Sequence, residues 1–281
     1  MNGGRKYLSM AMMTAIMLIT SVALAQEIEE QEAPFEATAI AELGFVAPFY
    51  HRVQLGEEGS DFDYVSEGGQ DVLFSFRRFS IDVVLGERHG VTFLWQPLDL
   101  QTRVRLDRDV VFDEATFEEG RPLFVRYSFP FYRLSYTFDV LGGERSELGL
   151  GGGLQIRNAT LEFEAADGSL RRERRDVGLV PLLKVRGRHQ LQSRWWFGTE
   201  IDGFYAPIRY LNISDTDVVG AILDASLRVG AEVGEEVDLY LNVRYLGGGA
   251  EGTSPPDGPS DGFTRNWLNL AVLSLGFALE L

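Results

Sequence analysis

The chain has 281 residues, 42 acidic against 26 basic, a formal charge of −16 and no cysteine. That balance excludes nucleic acid as an electrostatic partner. The missing cysteine excludes disulfides and thiolate metal sites and predicts no lipid anchor. With 31 glycines and 12 % aromatic residues, the length suits one large domain.

Arg5 and Lys6 precede an apolar run from Leu8 to Ala23, and Ala23-Leu24-Ala25 is an A-x-A site. This is the pattern of a secretory signal peptide over residues 1–25, cleaved before Gln26. The run is short of the roughly 20 apolar residues that a helical span needs. Cleavage leaves 24 basic residues against 42 acidic, a net charge of −18. Residues 26–36 are acidic without a period and read as a flexible leader.

From Ala37 the hydropathy alternates with a period of two, the mark of strands with one apolar face. Ala37 to Tyr50 is the first strand, followed by a polar loop with Glu57, Glu58, Asp61, Asp63 and Glu67. Asp71 to Leu85 returns, with Phe79, Ile81, Val83 and Leu85 outward and Arg77 and Asp82 inward. Gly86 to Gly90 turns. Val91 to Leu106 goes out again, its apolar phase shifting near Pro97, which predicts a bulge or the membrane edge. Asp107 to Gly120 reads as an acidic hairpin above the bilayer. Leu123 to Val140 comes back through a second phase break at Pro130, with Tyr132, Leu134, Tyr136 and Phe138 toward lipid and Arg133, Ser135 and Thr137 inward.

Glu147 to Glu164 carries Leu148, Leu150, Leu154 and Ile156 on one face and Gly149, Gly151 and Gly153 on the other. No strand-turn-helix context or Lys-Ser/Thr follows, so this is no phosphate loop. Glycines here make room for neighbours or permit curvature. Ala165 to Arg175, with the basic run Arg171-Arg172-Glu173-Arg174-Arg175, reads as a loop. Asp176 to Gln190 and Trp195 to Ala206 are strands.

Val218 to Glu236 has the longest alternation: Val219, Ala221, Leu223, Ala225, Leu227, Val229, Ala231 and Val233 on one face, and Asp224, Ser226, Arg228 and Glu232 on the other. It exceeds the 5–6 residues of an ordinary strand and suits a tilted crossing of a bilayer. Val237 to Tyr245 is next, then a loop from Gly247 to Thr264, then Asn266 to Leu281. Long loops alternate with short turns. The reading is an all-β fold, a transmembrane antiparallel up-and-down β-barrel of about ten strands (eight and twelve stay open) over residues 37–281, in the bacterial outer membrane.

The stretches FPFYRLSYTF (Phe129 to Phe138), RNATLEF (Arg157 to Phe163), DGFYAPIRYLNISDTDVVGAILDASLRVG (Asp202 to Gly230) and VRYLGGGAEGTS (Val243 to Ser254) resemble a group of Gram-negative outer-membrane β-barrel proteins with no assigned activity. The alternation up to Leu281 resembles the C-terminal assembly signal of such barrels, although these usually end in phenylalanine. The resemblance implies location and fold, with outer-membrane lipid, lipopolysaccharide and the barrel-assembly machinery as partners.

The inward charges are the candidate site. Lys184, Arg186 and Arg188 lie on a strand beside the one with Glu200 and Asp202. Asp224 and Arg228 follow on the next, then Arg244. Strands lie about 4.8 Å apart, so these charges can pair across them. They predict a salt-bridged lumen in a structural or surface-interacting protein. The alternatives are a narrow channel for small solutes and a hydrolase at the outer rim with His51 as its base. His89 and His189 fall at the periplasmic end, and no histidine has an evident nucleophile beside it. Acidic loop residues (Asp107, Asp109 and Asp113, or Asp257 and Asp261) are conceivable cation ligands but lack EF-hand spacing. The asparagines of N-x-S/T, Asn158 and Asn212, carry no information in a bacterial envelope. No cofactor is implied.

Overall fold

The computed structural model describes residues 35–207, 217–253 and 261–281. The signal peptide, the leader up to residue 34, and Asn212 and Asp257 lie outside these residues.

The described chain is all strand: β1 (Phe35–Leu55), β2 (Phe62–Asp63), β3 (Phe74–Leu85), β4 (His89–Gln96), β5 (Asp99–Arg105), β6 (Val110–Phe112), β7 (Ala115–Phe117), β8 (Pro122–Ser128), β9 (Phe131–Asp139), β10 (Ser146–Ala165), β11 (Arg171–Gln190), β12 (Trp195–Pro207), β13 (Asp217–Glu232), β14 (Val237–Thr253) and β15 (Phe263–Glu280). Ten of them form a ring in the order β1-β3-β4-β9-β10-β11-β12-β13-β14-β15, with β15 returning to β1. Each ladder whose register is resolved is antiparallel. This is the expected closed up-and-down barrel, which leaves no open edge.

The outer face of the ring is apolar. On β13, Leu227 is 70 % exposed while its neighbour Ser226 is 3 % exposed. Leu43, Phe93, Leu134, Leu154, Leu179, Leu183, Leu241 and Leu275 are exposed in the same way on their own strands. A continuous belt of leucine, valine and aromatic side chains facing outward around a charged interior is stable only against hydrocarbon.

Several strands are longer than their alternation indicates. β11 begins at Arg171, so the basic run is strand and not loop, and only residues 166–170 connect it to β10. β14 continues to Thr253 through the glycines read as loop. In both places the pairing is set by a neighbour: Arg171 to Arg175 face Glu164 to Thr160, and Gly247 to Gly249 face Asn269 to Trp267. The glycines of β10 admit close approach: a side chain at Gly151 would strike the Tyr136 carbonyl, and one at Gly149 the side chain of Thr137.

The phase breaks at Pro97 and Pro130 are not bulges. Gln96 pairs with Phe131 and Asp99 with Ser128, which is one uninterrupted register across both prolines. What changes is which face is apolar. On β4 and β9 the outward Phe93, Trp95, Tyr132 and Leu134 are apolar, whereas on β5 and β8 the inward Leu100, Leu123, Val125 and Tyr127 are. The inversion marks the outer membrane edge, above which the outside is water and the inside is a core. The ladder does carry one irregularity, between Pro48 and Tyr50 on β1. That irregularity switches the facing, so that Val46 before it and His51, Val53 and Leu55 after it all point inward.

The loops predicted to be polar excursions supply that core. The 107–120 segment forms the β6–β7 hairpin around Asp113 and Glu114, both at positive φ (47° and 63°), as a tight hairpin turn requires. Its Val110, Phe112, Ala115 and Phe117 are buried. Phe112 stacks on Phe163 with ring centroids 4.0 Å apart. β2 pairs with β1, placing Phe62 and Tyr64 against the same cluster. The charged members of these segments face water, so a count of acidic residues misreads an amphipathic lid as a solvated loop.

Asp261 pins this lid to the base of β15. Its carboxylate accepts from the backbone N–H of Glu57 (2.6 Å) and of Phe263 (2.8 Å), and these bonds hold its pKa below the usual carboxylate value. A lowered folded-state pKa gives an attachment that is complete above about pH 3.9 and is lost as pH falls through the folded value. Amide exchange at Glu57 is expected to stay slow from pH 8 to 4.5 and to lose its protection only below that, and Asp261→Asn should weaken the protection at every pH. A second expectation concerns the belt. Leu223→Arg on its outward face should cost about 2–4 kcal/mol in refolding titrations. Ser226→Ala should cost far less, because its hydroxyl is buried without a partner among the described residues.

Candidate functional site

Alternation along each strand puts one face of every stave into the lumen, and the inward residues at mid-height are charged. Glu42 comes from β1, Arg78 from β3, Arg133 from β9, Lys184 from β11, Glu200 and Asp202 from β12, Asp224 and Arg228 from β13, and Arg244 from β14. All are buried or nearly so.

The register creates a problem on one wall. Asp202 of β12 lies directly opposite Asp224 of β13, and like charges opposite one another destabilise a ladder. The answer comes across the lumen. Arg133 Nη1 donates to Asp202 (2.7 Å) and to Asp224 (3.0 Å), while its Nε and Nη2 donate to Gln155. Arg78 Nη1 reaches Asp224 (3.0 Å) and Gln96 (2.8 Å), and its Nη2 reaches Glu200 (3.2 Å). Arg244 completes the shell of Asp224. Lys184 bonds Glu200 at 2.7 Å and Asp202 at 3.2 Å. Arg228 bridges Glu200 and Glu42, and Glu42 also accepts from Tyr240 and Asn242. Five cations and four carboxylates thus form one connected lattice across the barrel.

Of the eight residues read from the sequence, Lys184, Glu200, Asp202, Asp224, Arg228 and Arg244 meet in this lattice. Arg186 and Arg188 lie toward the short-turn end. Arg186 pairs with Asp82 (2.5 Å) and Glu147 (3.2 Å), and Arg188 with Asp238 (2.7 Å) and Glu232 (3.6 Å). The sequence reading missed Glu42, Arg78 and Arg133 as network members. On β3 it placed Arg77 inward, but Arg77 shares the facing of Phe79 and Ile81 and is exposed, while Arg78 is buried. Strict counting from Asp82 would have found Arg78.

Two further cavities border the lattice. Below it, at the end with the short turns, a vestibule of about 530 Å³ is lined by Asp82, Arg186, Arg188, Trp196, Arg228, Asp238 and the 232–238 turn. Above the vestibule a space of only about 10 Å³ remains beside Arg78, Lys184, Glu200 and Arg228, room for about one water.

Among the described residues, no histidine is bonded to both a hydroxyl and a carboxylate. His51 is part of β1, is fully buried, and stacks on Tyr64 at 4.3 Å with Tyr127 edge-on at 4.5 Å. Its Nδ1 lies 2.9 Å from Gln70 Oε1, and no Ser or Thr hydroxyl bonds to it among the described residues. His89 bonds the Tyr136 hydroxyl (2.8 Å), and His189 the Ser146 hydroxyl (2.8 Å), both exposed at the short-turn rim. The sequence did not indicate that Ser146–His189 pair, which the β10–β11 register brings together. No group of three potential metal ligands exists among the described residues. Asp109 instead accepts from the Glu119 backbone (2.7 Å), and Asp261 holds the lid.

No family model matches the chain, and no curated protein sequence does. Solved structures do match. The outer membrane protease OmpT of Escherichia coli aligns over 90 % of this chain and 99 % of its own, with a TM-score of 0.56 and 11 % identity. Ail of Yersinia pestis aligns over 87 % and 99 % (TM-score 0.37, 10 % identity), and Neisserial surface protein A over 90 % and 100 % (TM-score 0.32, 11 % identity). At such identities the OmpT match speaks for the fold and not for its activity, and the other two scores add no argument. With a closed ring of ten strands, an apolar outer belt, a charged interior and this likeness, the chain is an outer-membrane β-barrel protein.

Proposed function

We propose that this protein is a closed barrel that works through its ends and outer surface and does not conduct solutes. The observation that carries the reading is the lattice around Asp224, held by Arg78 and Arg133 from the far wall and Arg244 from the next strand. A conducting lumen needs charges that face water and can exchange partners. These side chains are almost fully enclosed and bonded to one another. The aromatic lid around Phe163 lies above them and buries Phe62, Tyr64, Phe112 and Phe117.

The outer surface supports the rest of the reading. Above the belt, Arg103 and Arg105 are exposed on the outward face of β5, and Arg171 and Arg175 on that of β11, the latter two paired with Glu162 and Glu173. Guanidinium groups at this level match the phosphates of lipopolysaccharide, since a planar fork bonds two phosphate oxygens at once. The long β1–β15 ladder, from Thr38↔Glu280 to Leu55↔Thr264, is the seam that closes last if β15 is the strand the barrel-assembly machinery engages. The complete enclosure of His51 favours a non-enzymatic role.

The refolded mature protein is expected to be silent in a planar bilayer while showing heat-modifiable migration on a gel. Steady conductance steps from the native chain would overturn the closed reading in favour of the narrow channel. Asp224→Ala leaves three guanidinium groups short of their common anion and should cost about 3–5 kcal/mol of stability by urea unfolding. A cost below about 1 kcal/mol would mean that the lattice does not hold the lumen shut.

A further inference from the structure

The ten-strand ring has no open edge, but the wall that rises above it does. β4 continues past Pro97 into β5, and the β3–β4 ladder stops at Phe79↔Trp95. Above that level β5 pairs with β8 alone and ends the sheet. The ladder shows which way the β5 backbone faces, because in an antiparallel pair alternate residues turn their N–H and C=O groups toward the same neighbour. Phe129 N–H donates to the Leu98 carbonyl (2.7 Å) and Leu106 N–H to the Arg121 carbonyl (3.3 Å). In this register Leu100, Thr102 and Val104 bond β8. The N–H and C=O groups of Asp99, Gln101, Arg103 and Arg105 therefore point the other way, where they meet no backbone partner among the described residues.

A free edge seven residues long, without a proline or a bulge in its ladder, is a template for another strand. It stands above the outer membrane edge, within reach of a partner outside the cell. The four residues that present the free backbone are also exposed, while Leu100 is buried on the inner face. Asp99 is held by Arg126 at 2.6 Å. Arg103 and Arg105 have no carboxylate among the described residues: Arg103 lies over the Phe124 ring at 5.5 Å, and Arg105 donates to the Gly120 carbonyl. On the inner side Thr102 donates to the Gly68 carbonyl, and four residues further on the same segment carries Val72 and Leu73, both exposed. The unanswered charge of the edge is thus positive on its outer face, with aliphatic side chains on the inner side.

We propose that β5 takes up an extended acidic segment of another protein as an added antiparallel strand. Carboxylates at alternate positions would lie opposite Arg103 and Arg105, with aliphatic residues between them turned inward. A lipid phosphate can answer the guanidinium groups but not a row of backbone donors and acceptors. A second copy fits no better. Antiparallel pairing of two β5 edges would stand one barrel upside down in the membrane, and parallel pairing would leave the arginines on opposite faces without an anion. The arginines also select, since a basic strand would meet like charge. The proposal goes beyond the closed-lumen reading and fails separately from it, because peptide binding is read whether or not the barrel conducts.

The test is fluorescence anisotropy of labelled peptides with the full mature barrel, refolded in neutral detergent free of lipopolysaccharide. The probe Glu-Val-Glu-Val-Thr-Val-Lys sets its first, third, fifth and seventh positions opposite Arg105, Arg103, Gln101 and Asp99. It is expected to saturate at one site. N-methylation at the third and fifth positions removes two donors that face β5 and should weaken binding about tenfold or more. N-methylation at the fourth and sixth positions, which face away, should cost far less. The charge-reversed peptide Lys-Val-Lys-Val-Thr-Val-Glu should bind more weakly than the acidic one, and Arg103→Glu should erase that preference. Gln101→Pro removes an edge donor without removing a ladder bond and should abolish binding. The proposal falls if the acidic peptide does not saturate, if both N-methylation patterns weaken it equally, or if the charge-reversed peptide binds as tightly. Should Gln101→Pro fail to give a heat-modifiable barrel, the peptide series on the native chain still decides the matter.

Discussion

Two carboxylates that the strand register forces together, Asp202 and Asp224, set the terms for the interior of this barrel. Neither can stay buried and charged unless cations reach it, and the adjoining strands cannot supply them all. Arg133 and Arg78 therefore extend from the far wall, and each guanidinium is then fixed by a glutamine, Gln155 or Gln96. A lone buried charge costs several kcal/mol, so no member of the lattice can leave singly. In the proposed closed state, the same lattice that stabilises the ring also blocks it.

Above the lattice the barrel turns inside out. The prolines at 97 and 130 interrupt no register, yet they separate a segment with lipid-facing aromatics from one with core-facing aliphatics. The inner core this creates is completed by the first loop and the β6–β7 hairpin, which contribute Phe62, Tyr64, Phe112 and Phe117. One end of the molecule is therefore built like a soluble domain, and the other like a charged well. His51 belongs to the former, where its imidazole serves as a ring among rings.

The three levels divide the functional possibilities. In the proposed closed barrel, the lid and the lattice fill the lumen and leave the two ends and the outer surface to act. At the short-turn end paired arginines stiffen the wall, while Glu235, Glu236 and Glu280 at the rim make no ion pair among the described residues. A protein that conducted would show the reverse: unpaired charge at its narrowest level.

Period-two hydropathy was enough, from the sequence alone, to place the main strands, the lipid face, a count of about ten staves and the inward facing of Lys184, Glu200, Asp202, Asp224, Arg228 and Arg244. It could do so because lipid outside and charge inside write opposite polarities on successive residues. It could not say which inward charge meets which. Asp224 and Arg133 are 91 residues apart, and Arg186 joins Asp82 from 104 residues away. Such partners are chosen by ring order and stagger, which leave no local trace. Nor could alternation show that the acidic loops fold inward as a lid. Their apolar residues are few and short-spaced, and only the tertiary structure, by offering an empty barrel mouth lined with leucine and phenylalanine, makes burial of those residues favourable.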